Sequence, residues 1–332
     1  MEDVERERDD GLIDPESGPV TEGQIEADLA RGRIYRLNDR FFKFLLGRED
    51  RKPLFLDLVN ALVFPDGSAG FTGFEYANRE LSAVRVEGKD CYLDIVANMA
   101  DGTQVEVEVQ VRNWNDYLQR SAYYLSTLHA SQMSLGGSYL DLKRTVSIHI
   151  LAFSLFAGER FRREFCLCDL ESGEKLSDDL KLIYLEVPKY ASYGTPRNRL
   201  EYWLMYLAGM EARKMPEAMV KDPMIGEALN LEKLFLQSRE ERQRYIVSYK
   251  AMRDAMTRDE TIRRVARAEG EARGEAKGLA KGLNEGRIAG LNEGIAATAR
   301  RMLARGVPSE QVADFTGLSL DEVEALRAGT EN

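Results

Sequence analysis

The chain has 332 residues, 44% of them hydrophobic and 31% charged, enough for a sizeable core and more than one unit. Its net charge of −10 is uneven: residues 1–30 carry a net −9 and residues 261–305 a net +5, so the total does not exclude a nucleic-acid partner bound through a local patch. No apolar run approaches the roughly 18–20 residues of a membrane span, no secretory leader pattern is seen, and three cysteines, two of them as Cys166-x-Cys168, fit neither a disulfide framework nor a zinc finger, so a cytoplasmic setting is expected.

Residues 1–30 are acidic without an apolar period and are expected to be disordered. Asn38 or Asp39 is placed to cap a helix over 39–63, broken near Gly47 and Pro53. Residues 79–87, 91–99 and 104–112 read as consecutive strands, with a turn at Gly88-Lys89 and a hairpin at Asp101-Gly102. A helix follows over 114–135. The β-branched run 144–156 predicts a strand buried on both faces, and shorter strands are expected at 161–168 and 182–187. Beyond about residue 197 the chain reads as mostly helical. Three antiparallel strands, a crossover helix and a parallel strand together make an α/β core.

The strand "TQVEVEVQVR" carries valine at 105, 107, 109 and 111 and polar groups at Gln104, Glu106, Glu108, Gln110 and Arg112. One reading of that polar face is a sheet surface open to water; the other is a cation site. Asp94 falls in mid-strand in "CYLDIVANM", where aspartate is depleted. If Asp94 and Glu108 share a side, two carboxylates converge, and Mg²⁺ favours carboxylate and water oxygens with a substrate phosphate. The Val109 carbonyl offers a third oxygen, and Gln110 lies on the Glu108 face to orient water or phosphate. With only His129 and His149, both read as structural residues, a histidine-rich metal site or a Ser-His-Asp triad is disfavoured.

"YLDIVANMADGTQVEVEVQ" resembles the signature of the PD-(D/E)XK nuclease superfamily, and more narrowly its Rpn branch of recombination-promoting nucleases and transposases. "NDRFFKFLL" at 38–46, the segment 118–156 and "LIYLEVPKY" at 182–190 extend the resemblance over about residues 35–190. It implies a restriction-endonuclease-like fold, α/β with a mixed sheet of four or more strands flanked by helices. It also implies Mg²⁺- or Mn²⁺-dependent hydrolysis of DNA, with Asp94, Glu108 and Gln110 in the catalytic positions and Asp94, Glu108 and Val109 as metal ligands. Glu106 is then a flanking acid able to swap roles with Glu108. Gln110 stands where the superfamily has lysine and brings no positive charge, so Lys43 and Lys89 are candidate substitutes. Against that, Lys43 also reads as a solvated helix-face residue and Asp39 as a cap. Arg112, Arg120 and Tyr124 are candidates for phosphate or sugar contacts.

Gly270, Gly274, Gly278, Gly282, Gly286, Gly290 and Gly294 recur every four residues, as a self-associating helix or a linker. Residues 295–328 resemble a small helix-turn-helix, with Ser319 capping its last helix. Asp321, Glu322 and Glu324 on that helix repel phosphate and favour a packing or oligomer module over a DNA reader. The expected layout is therefore an acidic tail (1–30), a nuclease-like core (31–195), a helical extension (196–268), the glycine repeat (269–294) and the helical module (295–328). The expected function is a metal-dependent DNA endonuclease, homo-oligomeric through its C-terminal region. The alternative is a catalytically weak or inactive nuclease fold that binds DNA or assembles.

Overall fold

The computed structural model describes residues 19–77, 83–86, 89–92, 94–114, 116–190 and 194–328. The chain divides into two compact units, one up to Arg258 and one from Asp259. The first begins with α1 (Glu22–Ala30), α2 (Asp39–Leu46) and α3 (Lys52–Val63), then β1 (Phe74–Tyr76), β2 (Ala83–Val86), β3 (Lys89–Tyr92), β4 (Ile95–Met99) and β5 (Gln104–Gln110). It continues with α4 (Tyr117–Ala130), β6 (Thr145–Leu151), β7 (Arg162–Cys166), β8 (Leu180–Glu186), α5 (Val187–Tyr190), α6 (Arg199–Leu207), α7 (Glu217–Val220) and α8 (Pro223–Gln237). The long helix α9 (Arg239–Leu303) leads into the second unit, which ends in α10 (Ser309–Thr316) and α11 (Leu320–Ala328).

Six strands form one mixed sheet in the order β1-β4-β5-β6-β8-β7, while β2 and β3 make a separate hairpin. The β4–β5 link turns on Gly102, whose φ of 88° is open to glycine, and Thr103 N–H donates to Asp101 Oδ1 at 2.9 Å. From β5 the chain crosses through α4 to β6, which pairs with β5 in parallel, as β8 does with β6. The expected α/β architecture, with its mixed sheet and flanking helices, is thus the observed one.

Alternation sets what each face meets. Ala97, Val105, Val107, Ile148 and Ile183 point into the main core with Phe41, Leu58, Trp203 and Phe235 from α2, α3, α6 and α8. Because α6 and α8 share this core, no boundary falls at residue 195. The opposite face lies under α4, where Val96 meets Leu128, and Tyr117 meets Leu151 and Tyr184.

Several sequence expectations need correction. Residues 22–30 are helical: Thr21 and Gln24 close a capping box, and Ile25 and Leu29, four apart, are buried. The expected disorder of 1–18 lies outside the described residues, as does Gly88 of the expected turn, while Lys89 begins β3. The expected strand 91–99 is two strands, β3 and β4, in different sheets, with Asp94 at the break. The first strand of the main-sheet meander is β1, not 79–87. Asn38, not Asp39, caps α2, accepting from Arg40 N–H at 3.1 Å. Among the described residues no helix is long and apolar enough to cross a membrane.

In the second unit the glycine repeat is part of α9. Ala299, Val312 and Val323 form a small core of their own. Gly317, with φ 72°, ends α10, and Ser319 accepts from Glu322 N–H at 3.3 Å while Glu322 Oε2 accepts from Ser319 N–H at 2.8 Å, a second capping box.

Candidate active site

Ile95 pairs with Val107 and Val96 with Glu106, so continuing the antiparallel register by one residue sets Asp94 opposite Glu108. Residues directly opposite share a side of the sheet. Asp94 Oδ2 accepts from the Val109 N–H at 3.0 Å, which fixes the carboxylate against β5. Its other oxygen meets Lys43 Nζ at 3.0 Å, and Lys43 also reaches Asp39 Oδ1 at 2.6 Å. Lys43 is therefore not a solitary solvated residue: it extends from the end of the amphipathic stripe of α2 over the edge of the acid pair.

The polar face of β5 is not open to water. Glu106 is fully buried and Glu108 is 6% exposed, because α4 lies over them. Parallel pairing sets Glu106 beside Ser147 and Glu108 beside His149 of β6, and His149 beside Tyr184 of β8. Ser147 Oγ donates to Glu106 Oε2 at 2.7 Å and lies 3.0 Å from His149 Nε2, so that ring nitrogen carries the proton. His149 Nδ1 then accepts from the Tyr117 hydroxyl at 2.9 Å, and the ring stacks on Tyr184. Burial pushes His149 down to about 3, so the imidazole is neutral. His149 is thus the structural residue its sequence context suggests; its place beneath the acids shows in the sequence only as Ser147 and His149 alternating within "TVSIHIL".

Burial, reinforced by Asp94, pushes Glu108 up to about 7, while Arg120 and Lys43 draw it back. Burial and the neighbouring Glu108 push Glu106 up to about 8. Asp94 is raised chiefly by burial, against the pull of Lys43 and the Val109 N–H. Burial acts to lower Lys43, but Asp94 and Asp39 overcome it and hold the ammonium above its ordinary value. Perturbed acids in one place mark a functional candidate.

The other sequence candidates divide. Arg120 Nη2 donates to Tyr124 OH at 3.2 Å on α4, close enough to Glu108 for its charge to be felt there. Gln110 does not stand ready for water or phosphate: its Nε2 donates to the Arg112 carbonyl at 2.8 Å. Arg112 stacks on Trp114. Lys89 lies on β3 of the separate hairpin, and its side chain is outside the described residues.

Among the described residues no three His, Cys, Asp or Glu side chains form a ready-made metal cage. Mg²⁺ does not need one, since it keeps several waters and takes one or two carboxylates with a phosphate. Glu106 Oε1 and Glu108 Oε2 are buried without a hydrogen-bond partner among the described residues, and the Glu108 atom lies 3.6 Å from His149 Nδ1. A buried carboxylate oxygen left unpaired beside a second carboxylate suits a hard cation.

Residues 36–260 match the family described as PD-(D/E)XK nuclease family transposase, and residues 297–328 match the C-terminal HTH domain of the Rpn/YhgA-like nuclease family. No curated protein and no solved structure matches the chain significantly. The two matches cover the sheet that carries the acids and the small helical core of the second unit, and the chain belongs to the PD-(D/E)XK nuclease family of transposases, in its Rpn branch.

Proposed function

We propose that the protein is a divalent-cation-dependent DNA endonuclease whose site is Asp94, Glu108 and the Val109 backbone, working in recombination. One observation carries this reading: two carboxylates from neighbouring strands meet beside Lys43, one of them with a buried, unpaired oxygen. Asp94, Glu108 and the Val109 carbonyl would hold Mg²⁺ or Mn²⁺, which supplies a lowered water pKa and positive charge for a phosphodiester. Lys43 supplies the cationic side chain that Gln110 lacks. Arg120 and Tyr124 face phosphate from α4. Ser147, His149 and Tyr117 hold the floor beneath the acids and exclude water from it. The test is supercoiled-plasmid nicking in Mg²⁺, which EDTA abolishes and added Mg²⁺ restores; nicking that survives EDTA sinks the metal dependence.

Gln110 also supports a second reading, a DNA-binding protein of little catalytic power, because its amide is engaged by the Arg112 carbonyl. Calorimetric titration separates the two: folded protein that takes up neither Mg²⁺ nor Mn²⁺ favours the second.

The reading extends to a cytoplasmic homo-oligomer that binds DNA. A Cβ added at any glycine of the repeat meets nothing within 4 Å, so nothing among the described residues requires glycine there, whereas each costs the helix about 1 kcal/mol against alanine. Close backbone approach by another copy accounts for the ladder. Deleting 268–332 is expected to reduce the assembly to monomer by light scattering, and an unchanged mass rejects this interface. Asp321, Glu322 and Glu324 are exposed on α11, so DNA contact by the HTH domain would fall elsewhere on it.

A further inference from the structure

The chain has two tryptophans, placed in opposite surroundings. Trp203 is fully buried, whereas Trp114 is 38% exposed. Partial exposure of one aromatic residue is ordinary in itself, but it leaves part of the Trp114 indole open to a ligand. Trp114 is also held in place. The Arg112 guanidinium lies 4.0 Å from its ring centroid, the Gln110 amide donates to the Arg112 carbonyl at 2.8 Å, and the Tyr117 N–H donates to the Trp114 carbonyl at 3.1 Å. The backbone on either side of the ring is thereby tied to the end of β5 and to the start of α4, and the ring itself packs against Arg112.

Its place along the chain matters as much. Glu106, Glu108, Gln110, Arg112 and Trp114 are alternate residues of one run that leaves the sheet after Gln110. Trp114 lies six positions along the chain from Glu108, an extended reach of at most about 22 Å. A strand with a phosphate at the acids therefore has the ring within reach of a few nucleotides. In a duplex the faces of internal bases are covered by their neighbours; an aromatic face can take a base only where it is unpaired.

We propose that Trp114, backed by Arg112, is a stacking platform for an unpaired base beside the acid pair, so that the favoured substrate is single-stranded or locally melted DNA. Gln110 is then a positioning residue that braces the Arg112 backbone. The Arg112 guanidinium reinforces the stack by a cation–π contact and brings positive charge for the strand's phosphates.

The inference rests on the nuclease reading of the site, and its test is binding without metal. With the full-length protein in EDTA, oligo(dT) is expected to quench the exposed Trp114, the buried Trp203 being out of reach. By anisotropy of labelled oligonucleotides, Trp114→Leu is expected to weaken oligo(dT) binding about tenfold. Trp114→Phe, which keeps an aromatic face, is expected to stay within a few-fold of the parent, and duplex affinity is expected to change little in either variant. Unchanged oligo(dT) affinity in Trp114→Leu overturns the platform, as does an equal loss for duplex. A parent that still nicks plasmid through Asp94 then keeps the nuclease reading and loses only this inference; a protein that binds neither form of DNA loses both.

Discussion

Replacing Asp94 or Glu108 by alanine is expected to reduce Mg²⁺-dependent plasmid nicking on the order of a thousandfold, with the fold intact by circular dichroism. The size follows from what each group does. Asp94 is aimed by the Val109 N–H and flanked by Lys43, and Glu108 offers a buried oxygen with no other partner among the described residues. Neither is replaceable by water, since the cation would lose half its protein carboxylates. Glu108→Gln and Asp94→Asn keep the shape and remove the charge, so they are expected to match the alanine variants in activity while disturbing packing less. Lys43→Met keeps the length of the stem and removes the ammonium; a loss of about a hundredfold is expected if that charge serves the reaction. Equal nicking by the parent and both alanine variants would falsify the site.

The alternation that marked β5 was legible because a period of two needs no tertiary information. What it could not carry was depth. Polar residues at 104, 106, 108 and 110 look the same whether water or another layer covers them. The difference lies in Ser147, Glu106's partner 41 residues away, and in Tyr117 of α4. Local sequence does not register such pairing. Lys43 stays open between a site cation and a solvated helix-face residue for the same reason, until Asp94 is folded against it. The early helix α1 was hidden by the acidic run around it, although Thr21-x-x-Gln24 was a visible capping signature. Asp94 in mid-strand drew attention as a residue out of place, and the structure gives the physical reason: the strand breaks there, which frees the backbone to aim the carboxylate at its neighbour. The resemblance supplied the pairing of distant acids that spacing alone left open.

Glu106 gives the other large effect, and it separates a buried structural acid from a ligand. Its carboxyl is pushed up to about 8 by burial first and by Glu108 next, against an ordinary 4.5. The folded chain therefore holds a proton that the unfolded chain has lost between these values, so stability falls as pH rises through that window and levels off above about 8. Glu108, raised to about 7, acts in the same direction. His149 acts oppositely but only below its ordinary 6.5, because it is held near 3 in the fold. Thermal midpoints taken between about pH 6.5 and 8.5 therefore isolate the acids. Glu106→Gln places a neutral amide where a protonated carboxyl stood and leaves Ser147 an acceptor. The variant's advantage over the parent is expected to grow by about 2 kcal/mol, or roughly 5 °C, from the low end of that range to the high end. Its nicking activity is expected to stay within about tenfold of the parent. A parallel pH dependence in the two proteins rejects the buried neutral acid, and loss of nicking as deep as in the Glu108 variant assigns Glu106 to the cation instead.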